Sequence, residues 1–309
     1  MKAAEITFGF ELETTIPAAA GIVVGPRHGG LPVADGIATA TGQRVAAPHF
    51  GGTRWHADQD GSIRSEGGRA ACEFVSPVLS GAAGVEALLA FVDWAKAIGA
   101  TVNSSCGCHI TVGVESVIGT SDPQAVGEFA RKLAHLAHWH ARALYGQTGT
   151  GRHLNTYSRP FEAAVGAHAR RMLRRPLPAD KDRAARSCGR GMVNFGKLFT
   201  HGVVEFRVFA GTLNPQKLMH HLATVLGLCR RAAEVECLGG FARNKAQSRR
   251  TASATDALRF LRDYLGWTGS KRPVALGLFG ALYDGFGAYA PVAERMCARF
   301  DATFPAANL

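Results

Sequence analysis

The stretch Ile6-Thr7-Phe8-Gly9-Phe10-Glu11-Leu12-Glu13 decides how the rest of the chain is read. Taken as a β-strand, its two-residue period puts Phe8, Phe10 and Leu12 on one face and Gly9, Glu11 and Glu13 on the other. Two carboxylates held about 7 Å apart on a rigid strand repel each other unless a cation lies between them, which points to a hard metal ion. The solvated outer face of an edge strand is the alternative, and the choice rests on whether later segments repeat the design.

Three later segments do repeat it. In 70–76, Ala71, Glu73 and Val75 alternate against Cys72, Phe74 and Ser76 before Pro77 ends the strand. In 109–115, Ile110, Val112 and Val114 make a core face, with His109, Thr111 and Glu115 pointing the other way. In 203–208, Val204, Phe206 and Val208 back onto Glu205 and Arg207, and a strand over 191–199 is expected to complete a hairpin with it. Residues 55–63 read as a strand entering an Asp60-Gly61 turn, which adds Asp58 and Asp60. Glu205 and Arg207 could be a surface ion pair contributing well under ~1 kcal/mol, or a metal ligand beside a phosphate ligand. If these strands share one sheet with one face exposed, the acids and His109 converge. Such a site suits Mg²⁺ or Mn²⁺, which usually arrive with nucleotide phosphates, and Arg207 would then face the transferred phosphoryl group.

Helical spacing runs over 85–98, with Gly99 as the stop. Asp122 and Pro123 open a helix through about Tyr145, and Asn214 and Pro215 open another to about Cys237. The first of these carries His135, His138 and His140, for which ordinary surface or packing roles are expected because no Glu or Cys completes a metal set nearby. Residues 17–53 read as a long surface excursion, 159–190 as a basic helix and loop that could close over something, and 254–265 and 273–288 as further helices.

The 309 residues, 47% hydrophobic with 37 glycines, describe a soluble globular chain. No segment approaches about 18 uncharged apolar residues and no signal-peptide core follows Lys2, so a cytoplasmic protein is expected. The seven cysteines form no framework, and Cys106-Gly107-Cys108 is too tight for a metal knuckle, so reduced thiols are expected. The net charge of +11 concentrates in 170–190 and 243–250, which would serve phosphates, an acidic substrate or an RNA backbone. Phosphate loops of the P-loop and dinucleotide kinds are absent, as is the nucleophile elbow.

Taken in order, Phe8-Gly9-Phe10-Glu11-Leu12-Glu13, Asp60-Gly61-Ser62 with Cys72-Glu73-Phe74-Val75-Ser76-Pro77, Asn103 to His109, and Val204-Glu205-Phe206-Arg207 with Gly211-Thr212-Leu213-Asn214 resemble the motifs of the amidoligase family. These are carboxylate-amine ligases related to glutamate-cysteine ligase and glutamine synthetase, and the resemblance covers roughly residues 5 to 230. It implies an α+β fold: a curved, mainly antiparallel sheet whose concave face holds Mg²⁺ ions and ATP, with helices packed on the other face. Residues 1–240 would form the catalytic domain and 241–309 a helical extension. By the same resemblance Glu11, Glu13, Asp60, Glu73 and Glu205 would be metal ligands, His109 would contact the phosphates or a metal, with Glu205 also beside the nucleotide, and Arg207 would steady an acyl-phosphate transition state. The implied chemistry is phosphorylation of an amino-acid or peptide carboxylate by ATP, then attack by an amine whose proton passes to Glu73 or Asp58. Thr111 stands where the family has a second histidine. The rival readings are a phosphotransferase on the same sheet and a basic nucleic-acid-binding protein. The second is disfavoured by the scarcity of aromatic residues in the basic runs, and no membrane partner is expected.

Overall fold

The computed structural model describes residues 6–22, 24–25, 31–32, 37–38, 44–45, 49–50, 53–65, 67–146, 151–160 and 191–236. Most of the expected excursion over 17–53, nearly all of the basic segment 159–190 and the C-terminal helices lie outside the described residues.

The opening stretch forms strand β1 (Thr7–Pro17), longer than its alternating core alone suggests. It joins β2 (Leu31–Pro32), β3 (His56–Asp58), β4 (Arg69–Val75), β5 (Leu79–Ser80), β6 (Gly107–Gly113), β7 (Val193–Asn194) and β8 (Val203–Ala210) in an open, antiparallel, 8-stranded sheet. The order is β7-β8-β6-β1-β4-β3-β2, with β5 also paired to the start of β1. Because β1 is paired with β6 on one side and β4 on the other, it is a central strand and the edge-strand alternative fails.

Register then fixes the faces. Leu12 lies opposite Cys108 and Phe74, and Phe10 opposite Ile110, all fully buried. Glu11 lies opposite His109, while Glu13 and Asp58 lie opposite Glu73. Directly opposed residues share a face, so the alternation inside each strand adds up to one apolar and one acidic side of the sheet.

The apolar side carries the helices. Helix α1 (Gly81–Ala97) brings Phe91 into a stack on Trp55 at 3.6 Å and edge-on to Phe74 at 5.2 Å, with Trp94 also edge-on to Phe74. Such aromatic packing stabilises by roughly 0.5–1.5 kcal/mol per pair beyond area burial. After α2 (Val114–Ile118) come α3 (Pro123–Trp139), α4 (Ala141–Gly146), the short α5 (Leu198–His201) and α6 (Pro215–Glu234). Helix α6 packs against β6 and α3. The two expected caps are present: Asp122 accepts from Ala125 N–H and Asn214 from Lys217 N–H, each followed by proline. Gly99, at φ +79°, stops α1 as expected.

Three local expectations need correction, and one shift of register adds to them. The strand after His109 ends at Gly113, and Val114 and Glu115 belong to α2, where Ser116 Oγ accepts from Thr7 N–H at 2.9 Å and draws the chain into a turn. The helix from Pro123 breaks at His140 and resumes as α4. The expected hairpin strand over 191–199 shrinks to Val193–Asn194 followed by α5. Finally, the register between β6 and β8 shifts, with Ile110 opposite Phe206 but Cys108 opposite Phe209. Arg207 and Val208 together therefore oppose His109, and Phe209 returns to the apolar side to stack on His221 at 4.1 Å. The four described cysteines, Cys72, Cys106, Cys108 and Cys229, are buried free thiols. Among the described residues no helix is long and apolar enough to cross a membrane.

Candidate active site

The acidic side of the sheet gathers its residues around the ring of His109, which is 1% exposed. Its Nδ1 lies 3.0 Å from Glu11 Oε2, 3.4 Å from Glu205 Oε1 and 3.8 Å from Glu73 Oε1. Its Nε2 lies 3.4 Å from Glu13 Oε1. The sequence thus placed Glu11, Glu13, Glu73, Glu205 and His109 on one face, and the sheet brings all five together.

Two subsets have the compactness a metal ion requires: Glu11, Glu73 and His109, and Glu13, Asp60 and Glu73, each with ligand atoms within 4.8 Å of one another. Asp60 reaches the second set from the turn after β3, where its Oδ1 accepts from Ser62 N–H at 2.6 Å, the Asp-Gly turn expected there. Glu205 joins neither set. Its Oε2 accepts from Asn194 Nδ2 at 2.7 Å and its Oε1 from Arg207. His135, His138 and His140 also stand outside both sets.

Charge makes the same point. Burial first, and then the carboxylates of Glu11, Glu13 and Asp60, push the Glu73 carboxyl up to about 9, with Arg207 alone opposing them. Burial and the Arg207 guanidinium hold His109 down at about 4, against the pull of Glu13 and Glu205. Arg207 itself sits above its ordinary value, because Glu205, Glu11 and Glu13 outweigh its burial. One buried oxygen, Asp58 Oδ1, has no hydrogen-bond partner among the described residues. A crowd of carboxylates with an orphaned oxygen at its edge and few cations fits a divalent ion, and the all-oxygen set fits a hard one.

Two features orient the cationic side. The bulge in β8 aims Arg207 back over the site, where Glu205 holds one end of its guanidinium and the Tyr157 carbonyl accepts from its Nε at 3.1 Å. Arg152, in a single 3-10 turn (Arg152–Leu154), is 4% exposed, and its Nη2 lies 3.3 Å from His109 Nε2. The pattern of the sequence singles out neither Arg152, nor Asn194, nor Lys197, whose Nζ lies 3.6 Å from Glu11 Oε1. A flanking glycine is the sole local mark on Arg152, and it carries no periodicity.

Beside Glu11 opens a cavity of about 310 Å³ with Gly9, Val75, Pro77, Val78, Thr111 and Lys197 in its lining. Apart from Lys197 and Glu11 its walls carry no charged side chain. Thr111 therefore faces open space at the edge of the acidic cluster.

A family model described as "Putative amidoligase enzyme" matches residues 4–229. Among solved structures, a bifunctional glutathione synthetase from Pasteurella multocida is similar at a TM-score of 0.44 and 12% identity, over 97% of this chain and 49% of that one. This chain thus spans about half the length of that protein. No curated protein matches.

Proposed function

Because the chain belongs to the amidoligase family, we propose that it is an ATP-dependent ligase joining an amino-acid or peptide carboxylate to an amine. The observation that carries this reading is the convergence of Glu11, Glu13, Asp60, Glu73 and His109 on one sheet face, with Arg207 turned onto it by a bulge. In this reading that face is the nucleotide face of a glutamine synthetase-like fold.

Glu11, Glu13, Asp60 and Glu73 would hold Mg²⁺ or Mn²⁺, whose chemistry is to neutralise phosphate charge. Arg207 is pinned through Nε and one Nη, so its remaining N–H groups are free to donate to the transferred phosphoryl oxygens. A substrate carboxylate oxygen attacks the terminal phosphorus of ATP, the bond to ADP breaks, and an acyl-phosphate forms. The amine nitrogen then attacks the acyl carbon, phosphate leaves with the bonding electron pair, and the amine proton passes to a carboxylate. Asp58, which has an unpartnered buried oxygen, is the candidate acceptor. The cavity beside Glu11, where Glu11 and Lys197 are the charged side chains of the wall, suits the non-reacting part of one substrate.

The test is ADP release from ATP and Mg²⁺ with pools of amino acids and peptides, comparing wild type with Glu11→Gln and Arg207→Ala. The reading expects release in wild type and at least about a 10²-fold loss in each variant. Equal rates in all three would remove it.

A further inference from the structure

We infer that Arg152 is a positioning residue that fixes His109 as the Nδ1–H tautomer, so that His109 serves the site as a hydrogen-bond donor to the carboxylates and not as a metal ligand. The inference rests on the reading of this face as a metal site, but its first test needs no metal.

Arginine has only donors, so a nitrogen that meets it must accept. Arg152 Nη2 meets His109 Nε2 at 3.3 Å, which makes Nε2 the bare nitrogen of the neutral ring and places the proton on Nδ1. That N–H then points at Glu11 Oε2, 3.0 Å away, and Glu205 Oε1 lies 3.4 Å from the same nitrogen. Glu13 Oε1 also lies 3.4 Å from Nε2, but the hydrogen bonds the ring makes are to Glu11 at Nδ1 and to Arg152 at Nε2, and those two favour the same tautomer.

The surroundings are built to hold Arg152 there. The Ser158 hydroxyl donates to the Arg152 carbonyl at 2.7 Å, and the Tyr145 hydroxyl donates to the Ser158 carbonyl, with both side chains fully buried. Gly107 leaves the space: a Cβ there would stand 2.2 Å from Arg152 Nη2 and 3.0 Å from His109 Nε2. The bare backbone of Gly107 also donates its N–H to Glu13. Ring, guanidinium and carboxylate thus share a volume that any side chain at 107 would fill. The same segment supplies the Tyr157 carbonyl to Arg207, so 151–160 sets both guanidiniums of the site.

A metal needs a lone pair, and Nδ1 in this tautomer has none to give. Of the two compact sets, the one containing His109 then loses a ligand, and Glu13, Asp60 and Glu73 remain as a wholly oxygen set. His109 orients Glu11 and Glu205 from behind it.

Two measurements test this. In the metal-free protein, long-range ¹H–¹⁵N NMR of the histidine rings is expected to show His109 protonated at Nδ1, and Arg152→Met to shift it to Nε2–H or to a mixture. Arg152→Lys, which keeps a donor, should restore most of the Nδ1–H form, a rescue that mere loss of packing does not give. An unchanged tautomer in Arg152→Met overturns the assignment. In the Mn²⁺-loaded protein, pulsed electron paramagnetic resonance is expected to show no directly bound imidazole nitrogen, and such a coupling, lost in His109→Gln, would overturn it.

Discussion

The two faces of the central sheet are built from alternate residues of the same strands and are organised for opposite ends. On the helix side, Phe10, Leu12, Phe74, Ile110 and Phe206 are packed with Trp55 and Phe91 at essentially no exposure. On the other side, Glu13, Glu73, Glu205 and His109 are also nearly buried, yet three carboxyl groups come within 3.8 Å of one ring. The first face is what burial rewards; the second is what burial penalises, and it persists because neighbouring strands hold it. Stability should therefore belong to one face and chemistry to the other.

The largest effect expected from that division is on turnover. Glu73→Gln should lower it by at least about 10²-fold in an ADP-release assay, because one carboxylate is shared by both compact sets. The same change should leave the unfolding free energy of the metal-free protein within about 0.5 kcal/mol of wild type, since a carboxyl held up at about 9 is already neutral at pH 7 and the amide is nearly isosteric. A large loss of stability would break the comparison.

Phe91→Ala is the reverse case. It removes the stack on Trp55 and the edge contact to Phe74, and should cost about 3–5 kcal/mol in denaturant unfolding. Turnover per folded molecule at low temperature should stay within about twofold, since Phe91 packs on the apolar side of the sheet with Trp55, Phe74 and Trp94.

A smaller effect is set by His220 on α6, 5% exposed and held down at about 3 by burial. The folded chain keeps this ring neutral where the unfolded chain, with an ordinary value near 6.5, takes up a proton. Stability is therefore fully present above about pH 6.5 and falls as pH drops toward 3, by at most about 1.4 kcal/mol per pH unit from this group. Urea titrations across that window should show the slope, and His220→Leu should flatten it. The smallest effect is at the cap of α6, where Asn214→Ala should cost about 1 kcal/mol without touching turnover.

The strand-borne part of the site was legible because alternation is a local property. Glu11, Glu13, Glu73, His109 and Glu205 declare their face within a few residues, and only the shared sheet had to be supplied. The caps at Asp122 and Asn214 were legible for the same reason. What alternation cannot carry is a change of register: the bulge at Arg207 and Val208 depends on how β8 meets β6, so Phe209 was not foreseen on the apolar side. Nor can it tell where a strand gives way, and Val114 and Glu115 read as strand though Gly113 ends it. Arg152 was invisible on stronger grounds. It lies in a turn with no period, 43 residues from His109, and its meaning comes from a gap left by Gly107. The open antiparallel sheet was thus anticipated more fully than the turns that complete its site.

The central claim, that this face makes an amide at the expense of ATP, is tested most directly by mass spectrometry of the products. Wild-type protein with ATP, Mg²⁺ and a pool of amino acids and peptides should yield a species equal to two substrates less one water, with one ADP and one phosphate formed for each. A product carrying an added phosphate and no condensed species would contradict the claim and make the protein a phosphotransferase.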